Sequence, residues 1–340
     1  MIHFLFSFVT MCPLAATAPA EPPAPSQPAT PAEHTTTPSA AEMTPEQAIR
    51  GAMEILDRIE RGEGEGTWES VSKEIDAYIA IVQSAAPTNP WLAYLFARAY
   101  AIGGRRGDAI DQLQKFVETR EGRNEWAAFR LLGDLFVEDF PRLAKANYDK
   151  AAALKANEPS VLYGLSRCAI RLGSPSDAVK LAKDAVDADR EQSPRYITHL
   201  ARMYLRDKQW DEAERTALIA MGHAEEAIRN NPGSERQVRI AALQCGLLVE
   251  ITQARLIDAP APDVYLRLAK YTRQRAELDI KLVAHETVRI LEAGVIRSSP
   301  NTPNELLEAY GVALAEVGRA DAAREVFQRL LASDSGNAPE

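Results

Sequence analysis

Histidine and cysteine are both scarce in this chain, which holds five of the first and three of the second in 340 residues. The histidines, at positions 3, 34, 199, 223 and 285, form no cluster with ligand spacing. His285-Glu286 lacks the second histidine one helical turn later that a zinc-protease helix needs. Neither a metal nor a cofactor is expected. Three cysteines cannot build a stabilising disulfide framework, and Cys168 and Cys245 read as small buried apolar residues. Cation is also in deficit: 39 Lys and Arg stand against 48 Asp and Glu, for a formal charge of -9. With no surplus to neutralise phosphates, nucleic acid is not an expected partner. No stretch sustains the period-two alternation of β-branched residues that strands require, so the chain reads as all-α. Gly62, Gly64 and Gly66 follow a helix-like stretch rather than a strand, which argues against a nucleotide-binding loop.

What the chain does have is a period. Ala109, Ala144, Ala178 and Ala213 lie 35, 34 and 35 residues apart, each opening a helix-like stretch after a similar turn. A repeat of about 34 residues suits a helix-turn-helix solenoid, in which each unit buries its apolar face by stacking on its neighbours. Small residues recur where helices must approach closely, at Ala97, Gly133, Ser166 and Ala201. Gly104 and Gly173 suit the left-handed position that ends a helix, and Pro159 and Pro194 suit helix starts. First helices are expected near 90 to 103, 125 to 138, 159 to 172 and 194 to 207.

These residues resemble the tetratricopeptide repeat family, whose pattern is W-x2-L-G-x2-Y followed by A-x3-F. The clearest unit runs from Pro194, with Leu200-Ala201 in the Leu-Gly slot, Tyr204 in the Tyr slot, and Trp210 to Glu214 opening the second helix. A second has Phe129 to Gly133, Phe136, Ala144, Tyr148 and Ala151, and is one residue short at the turn. Looser units carry Phe96, Ala97, Tyr100, Gly104, Ala109 and Leu113, then Leu165, Ser166, Ala169, Gly173, Ala178 and Ala182. A detached unit has Gly311, Leu314, Gly318, Ala323 and Phe327. The resemblance covers about residues 90 to 222 and 303 to 334. It implies an all-α solenoid, a right-handed superhelix of antiparallel helix pairs.

Around the repeats the chain divides further. Residues 1 to 20 hold an apolar run, Phe4 to Val9, that Pro13 interrupts, then small residues at Ala16-Thr17-Ala18 and Ala18-Pro19-Ala20; they read as a signal peptide cleaved after Ala20. No Lys or Arg precedes the run, which departs from the usual pattern. The run is too short for a membrane span, and none is expected. Val9-Thr10-Met11-Cys12 resembles a lipidation site only weakly, because Met11 is large. Residues 21 to 43 belong to a Pro/Ala/Thr-rich linker, with seven of the 21 prolines falling between Pro19 and Ala40; its full reach is ~60 Å. Residues 44 to 88 read as a degenerate N-terminal helix pair that Thr44 caps, 89 to 222 as four repeats, 223 to 300 as long irregular helices, and 301 to 340 as a last repeat and tail. A stretch without Gly or Pro from Asp263 to Ala293 would make a helix of about 46 Å. Arg106-Gly107-Asp108 falls in the expected inter-helix turn and reads as an ordinary turn sequence.

In the family that the chain resembles, ligands lie along the concave surface of the first helices, which the residue after the Leu-Gly slot faces. Here those residues are Arg98, Asp134, Arg167 and Arg202. On the same helix faces, four residues earlier, come Tyr94, Arg130, Tyr163 and Thr198; four later come Ile102, Glu138, Arg171 and Arg206. A groove of six arginines and two tyrosines would favour an acidic protein or peptide segment, because a guanidinium binds carboxylate bidentately. The competing reading pairs these arginines with nearby Asp and Glu, including Asp134 and Glu138. The expected function is a non-catalytic, exported interaction scaffold of the periplasm or bacterial envelope. The alternative is a structural or assembly subunit of an envelope complex that uses the long 263 to 293 helix. Oligomeric state and partner identity are not legible.

Overall fold

A computed structural model describes residues 43–61, 68–190, 192–294 and 304–335. The expected signal peptide and nearly all of the linker, and the Gly62 to Gly66 segment, lie outside the described residues. From Thr44 onward the chain is one compact unit. The described residues form fifteen helices and no strand. They are α1 (Pro45–Arg61), α2 (Trp68–Ala85), α3 (Trp91–Ile102), α4 (Arg106–Glu118), a one-turn α5 (Arg120–Arg123), α6 (Trp126–Phe136), α7 (Pro141–Leu154), α8 (Pro159–Arg171) and α9 (Pro175–Ala188). There follow α10 (Pro194–Arg206), α11 (Trp210–Asn230), α12 (Glu235–Asp258), α13 (Pro262–Gly294), α14 (Asn304–Glu316) and α15 (Ala320–Ser335). Apart from the one-turn α5, past which α4 packs on α6, each helix packs on the next, and α6 also touches α8, α8 touches α10, and α10 touches α12. That pattern of nearest-neighbour packing is a helical solenoid.

Local chemistry sets the helix ends. Thr44 and Gln47 form a reciprocal cap: Gln47 N–H donates to Thr44 Oγ1 at 3.3 Å, and Thr44 N–H donates to Gln47 Oε1 at 2.9 Å. Prolines occupy the first turn of α7, α8, α9 and α10, where no intrahelical N–H is needed. Four turns end on a positive φ, at Gly104, Gly173, Lys208 and Gly318. Each is closed by the same long-range backbone bond, from Arg105 N to Tyr100 O, Ser174 N to Ala169 O, Gln209 N to Tyr204 O and Arg319 N to Leu314 O. The shorter α6–α7 turn instead closes through Phe140 N to Phe136 O at 2.8 Å.

The period-defining alanines are fully buried. Ala109, Ala144, Ala178 and Ala213 are all 0% exposed. Gly133 and Gly164 both abut the Tyr148 ring, where a Cβ would lie 2.7 Å and 2.2 Å from it. Ser166 Oγ donates to Ala178 O across the α8–α9 contact at 2.7 Å. Cys168 and Cys245 are free and buried, and burial pushes both thiols up.

Two expectations need correction. The boundary at 222 falls inside α11, which runs on to Asn230. Gly222 has open space around it and keeps a helical backbone, and the first true stop is Asn230-Asn231-Pro232-Gly233. Beyond it the expected long helices, which depart from the repeat length, are present as α12 and α13, unbroken over 24 and 33 residues. The second correction concerns Arg106-Gly107-Asp108, which opens α4 instead of lying in a loop. Among the described helices α12 is long and apolar enough to cross a membrane. Here its Ala241, Cys245, Leu248 and Ile251 are buried in a cluster with residues of α10, α11 and α13.

A candidate interaction face on the first helices

The charged residues expected along the first helices do share a ladder, but its two ends differ. At the α3 end the ladder is closed. Arg98 is only 3% exposed, and Nη2 donates to Asp57 Oδ1 and to Glu60 Oε1, each at 2.7 Å. Both carboxylates come from α1, which also touches α3. Tyr94 is 2% exposed and its ring stacks on Phe116 at 5.0 Å; burial raises its phenol to about 12. Tyr94 and Arg98 therefore do not line an open groove. The physical reason is that α1 supplies acidic side chains where a ligand's carboxylates were expected.

In the middle the ladder is internally paired. Arg130 donates to Asp134 Oδ2 at 2.7 Å and to Glu60 Oε2 at 3.2 Å. Arg167 donates to Glu138 Oε1 at 2.6 Å, and its Nη1 lies 3.7 Å from Asp134. Arg171 shares the Glu138 carboxylate. The competing reading made from the sequence, in which Asp134 and Glu138 pair with these arginines, describes this section. Such partly exposed pairs contribute little to stability individually, yet each fixes a guanidinium in place.

At the α10 end the ladder opens. Arg202 and Arg206 are exposed on α10, and neither has a hydrogen bond or ion pair among the described residues. On the neighbouring α8, Tyr163 is half-buried, with the Arg195 guanidinium 4.6 Å from its ring centroid and the Tyr196 ring at 5.8 Å. Thr198, in contrast, is tied to α12 through Gln244 Oε1 at 3.0 Å.

His199, buried against Tyr163 at a ring distance of 4.4 Å, meets Ser166 Oγ through Nε2 at 2.9 Å. Its pKa is pushed down to about 3, first by burial and then by the positive charges of Arg167, Arg202 and Arg195. The imidazole is thus held neutral beneath a positively charged surface. Arg195, Tyr196 and His199 were not singled out from the sequence. Arg195, His199, Arg202 and Arg206 follow one another at intervals of four, three and four, so one helical face carries them all, and that spacing was an available signal. No group of three or more His, Cys, Asp or Glu suited to a metal occurs among the described residues.

Stacked helix pairs with a charged face across successive first helices define a helical repeat protein. The model of the tetratricopeptide repeat family matches residues 138–194, from the α6–α7 turn to the start of α10. No curated protein matches the chain. Among solved structures, MamA from Desulfovibrio magneticus RS-1 is similar at 19% identity and TM-score 0.39, over 52% of this chain and 94% of that one. TTC0263, a thermophilic TPR protein of Thermus thermophilus, is similar at 16% identity and TM-score 0.42, over 63% and 100%. YrrB, a TPR protein with an unusual peptide-binding site, is similar at 15% identity and TM-score 0.37, over 56% and 97%.

Proposed function

We propose that this chain is a non-catalytic scaffold that binds an acidic segment of a partner protein across α8 and α10. One observation carries the reading. Arg202 and Arg206 on α10, and Arg195 over the Tyr163 ring, have no carboxylate partner among the described residues, whereas Arg98, Arg130, Arg167 and Arg171 are already paired. An extended acidic segment would supply the missing carboxylates, and Tyr163 would add contact area at low entropic cost. The binding site is accordingly shorter than the full arginine ladder.

The test is fluorescence anisotropy with a labelled peptide rich in Glu and Asp, titrated at two salt concentrations. Affinity should fall as salt rises, since wet charge pairs are screened over about 8 to 10 Å. Arg202→Ala and Arg206→Ala should weaken binding, while Glu308→Gln and Glu316→Gln in α14 should not. Equal losses from both pairs, or indifference to salt, would place the partner elsewhere.

The same proposal locates the chain outside the cytoplasm, on the strength of the Phe4 to Val9 run, the small residues before Glu21 and the proline-rich linker. N-terminal sequencing of protein from the native envelope should find Glu21 first. An intact Met1 in a cytoplasmic fraction would refute export.

A further inference from the structure

The 33-residue α13 has two apolar sides. One is buried in the solenoid through residues such as Tyr271, Leu278 and Val288. On the other, Leu266, Ala269, Ala276, Ile280, Val283 and Ile290 follow at intervals of three, seven, four, three and seven. These positions follow a two-per-heptad seam, the spacing that one helix uses to pack along another, with Arg273 and Thr287 at its two remaining positions. Nothing described covers it. Leu266 is 73% exposed, Ile280 61%, Val283 66% and Ile290 58%. The seam spans about 36 Å, far more than a scatter of single exposed apolar residues.

The C-terminal half of this seam and α14 enclose a groove of about 480 Å³. Ile280, Val283 and Val312 give it an apolar floor, and Glu305, Glu308 and Glu316 supply its charge; no Lys or Arg lines it among the described residues. A helix laid along the seam would bring its own flanking side chains against those three carboxylates. We propose that this groove docks an amphipathic helix of a partner protein, with apolar residues at three-four spacing and Lys or Arg on the flank nearer α14. A second copy of the chain is a poor fit, because twofold pairing through the groove would set one acidic rim against another. The site goes beyond the function proposed above and selects the opposite charge, so the scaffold would hold two kinds of partner at separate places.

The experiment uses the whole chain and a synthetic, labelled peptide of about three heptads, with Leu at both seam positions and Lys at the flanking ones. An isomer with the same composition but its Leu residues off the seam is the control. The seam peptide should bind more tightly than its isomer, and Ile280→Asn with Val283→Asn should weaken it by about tenfold or more. These side chains are largely solvent-exposed, so the variant should keep its circular dichroism and unfolding midpoint. Independently, Glu305→Gln, Glu308→Gln and Glu316→Gln together should weaken binding and flatten its salt dependence, whereas Arg202→Ala should leave it unchanged. The proposal is overturned if the isomer binds equally, or if neither variant alters affinity. It is also overturned if sedimentation equilibrium finds a dimer that Ile280→Asn with Val283→Asn dissociates, which would make the occupant a second copy.

Discussion

The Tyr148 hydroxyl donates a 2.7 Å hydrogen bond to Asp134 Oδ1, joining the packing of α7 to the charged ladder on α6. The other oxygen of that carboxylate accepts from Arg130, and Arg167 stands 3.7 Å from Oδ1. One side chain thus serves a repeat contact and the charged ladder together. Burial, then the Asp134 charge, raises the Tyr148 phenol far above its ordinary range, so it acts here only as a donor.

Gly164→Ala should destabilise the protein by about 1 to 3 kcal/mol, and Gly133→Ala should cost less. The added Cβ at Gly164 would come within 2.2 Å of the Tyr148 ring, which is 0% exposed and has nowhere to retreat. Urea denaturation of both variants gives the comparison. An unchanged midpoint for Gly164→Ala would contradict the packing described.

Asp134→Ala should cost about 1 to 3 kcal/mol, because it strips the acceptor from a buried phenol and leaves Arg130 with Glu60 alone. The loss should shrink in a Tyr148→Phe background, where no hydroxyl remains to be orphaned. A double-mutant cycle reads that coupling directly, and strict additivity would show that the hydrogen bond contributes nothing.

His199 makes stability depend on pH with a definite sign. Its native pKa is depressed to about 3 from 6.5, so below pH 6.5 the unfolded chain takes up a proton that the native state refuses. Stability is therefore lost as pH falls through that window, by about 2 kcal/mol between about pH 7 and pH 5. Unfolding free energies measured at both values should show this component in the natural chain and lack it in His199→Gln. Identical slopes for the two would mean that His199 is protonated in the native state.

Ala178→Leu and Ala213→Leu should each destabilise by about 1 to 3 kcal/mol through overpacking, since both sites are 0% exposed. Thermal unfolding is sufficient to see it. If both substitutions proved neutral, these alanines would not be the contacts that set the repeat.

Much of the solenoid is legible in the sequence because repeat proteins are governed by short-range terms. The spacing of Ala109, Ala144, Ala178 and Ala213, the prolines that open α8 and α10, and the glycines at 104 and 173 each act within one helix pair. First helices expected at 159 to 172 and 194 to 207 are found as Pro159–Arg171 and Pro194–Arg206. The end of α11 was less legible, because Gly222 is a break signal only where the backbone must turn, and at that position the chain continues as helix.

The interaction face was legible only as a list of residues. Composition and spacing put Arg98 and Arg202 at equivalent positions in their repeats, and by local rules they are alike. Tertiary structure made them opposites, for Asp57 and Glu60, 41 and 38 residues earlier, reach Arg98 from α1, while nothing described reaches Arg202. An ion pair between distant helices depends on the angle at which one crosses the other, and no local periodicity encodes that angle. The repeat, its turns and its small-residue contacts follow from terms between neighbours along the chain, so they can be read from residue order. Which charges find partners depends on how distant helices cross, and there the fold pairs Arg98 and leaves Arg202 without a partner among the described residues.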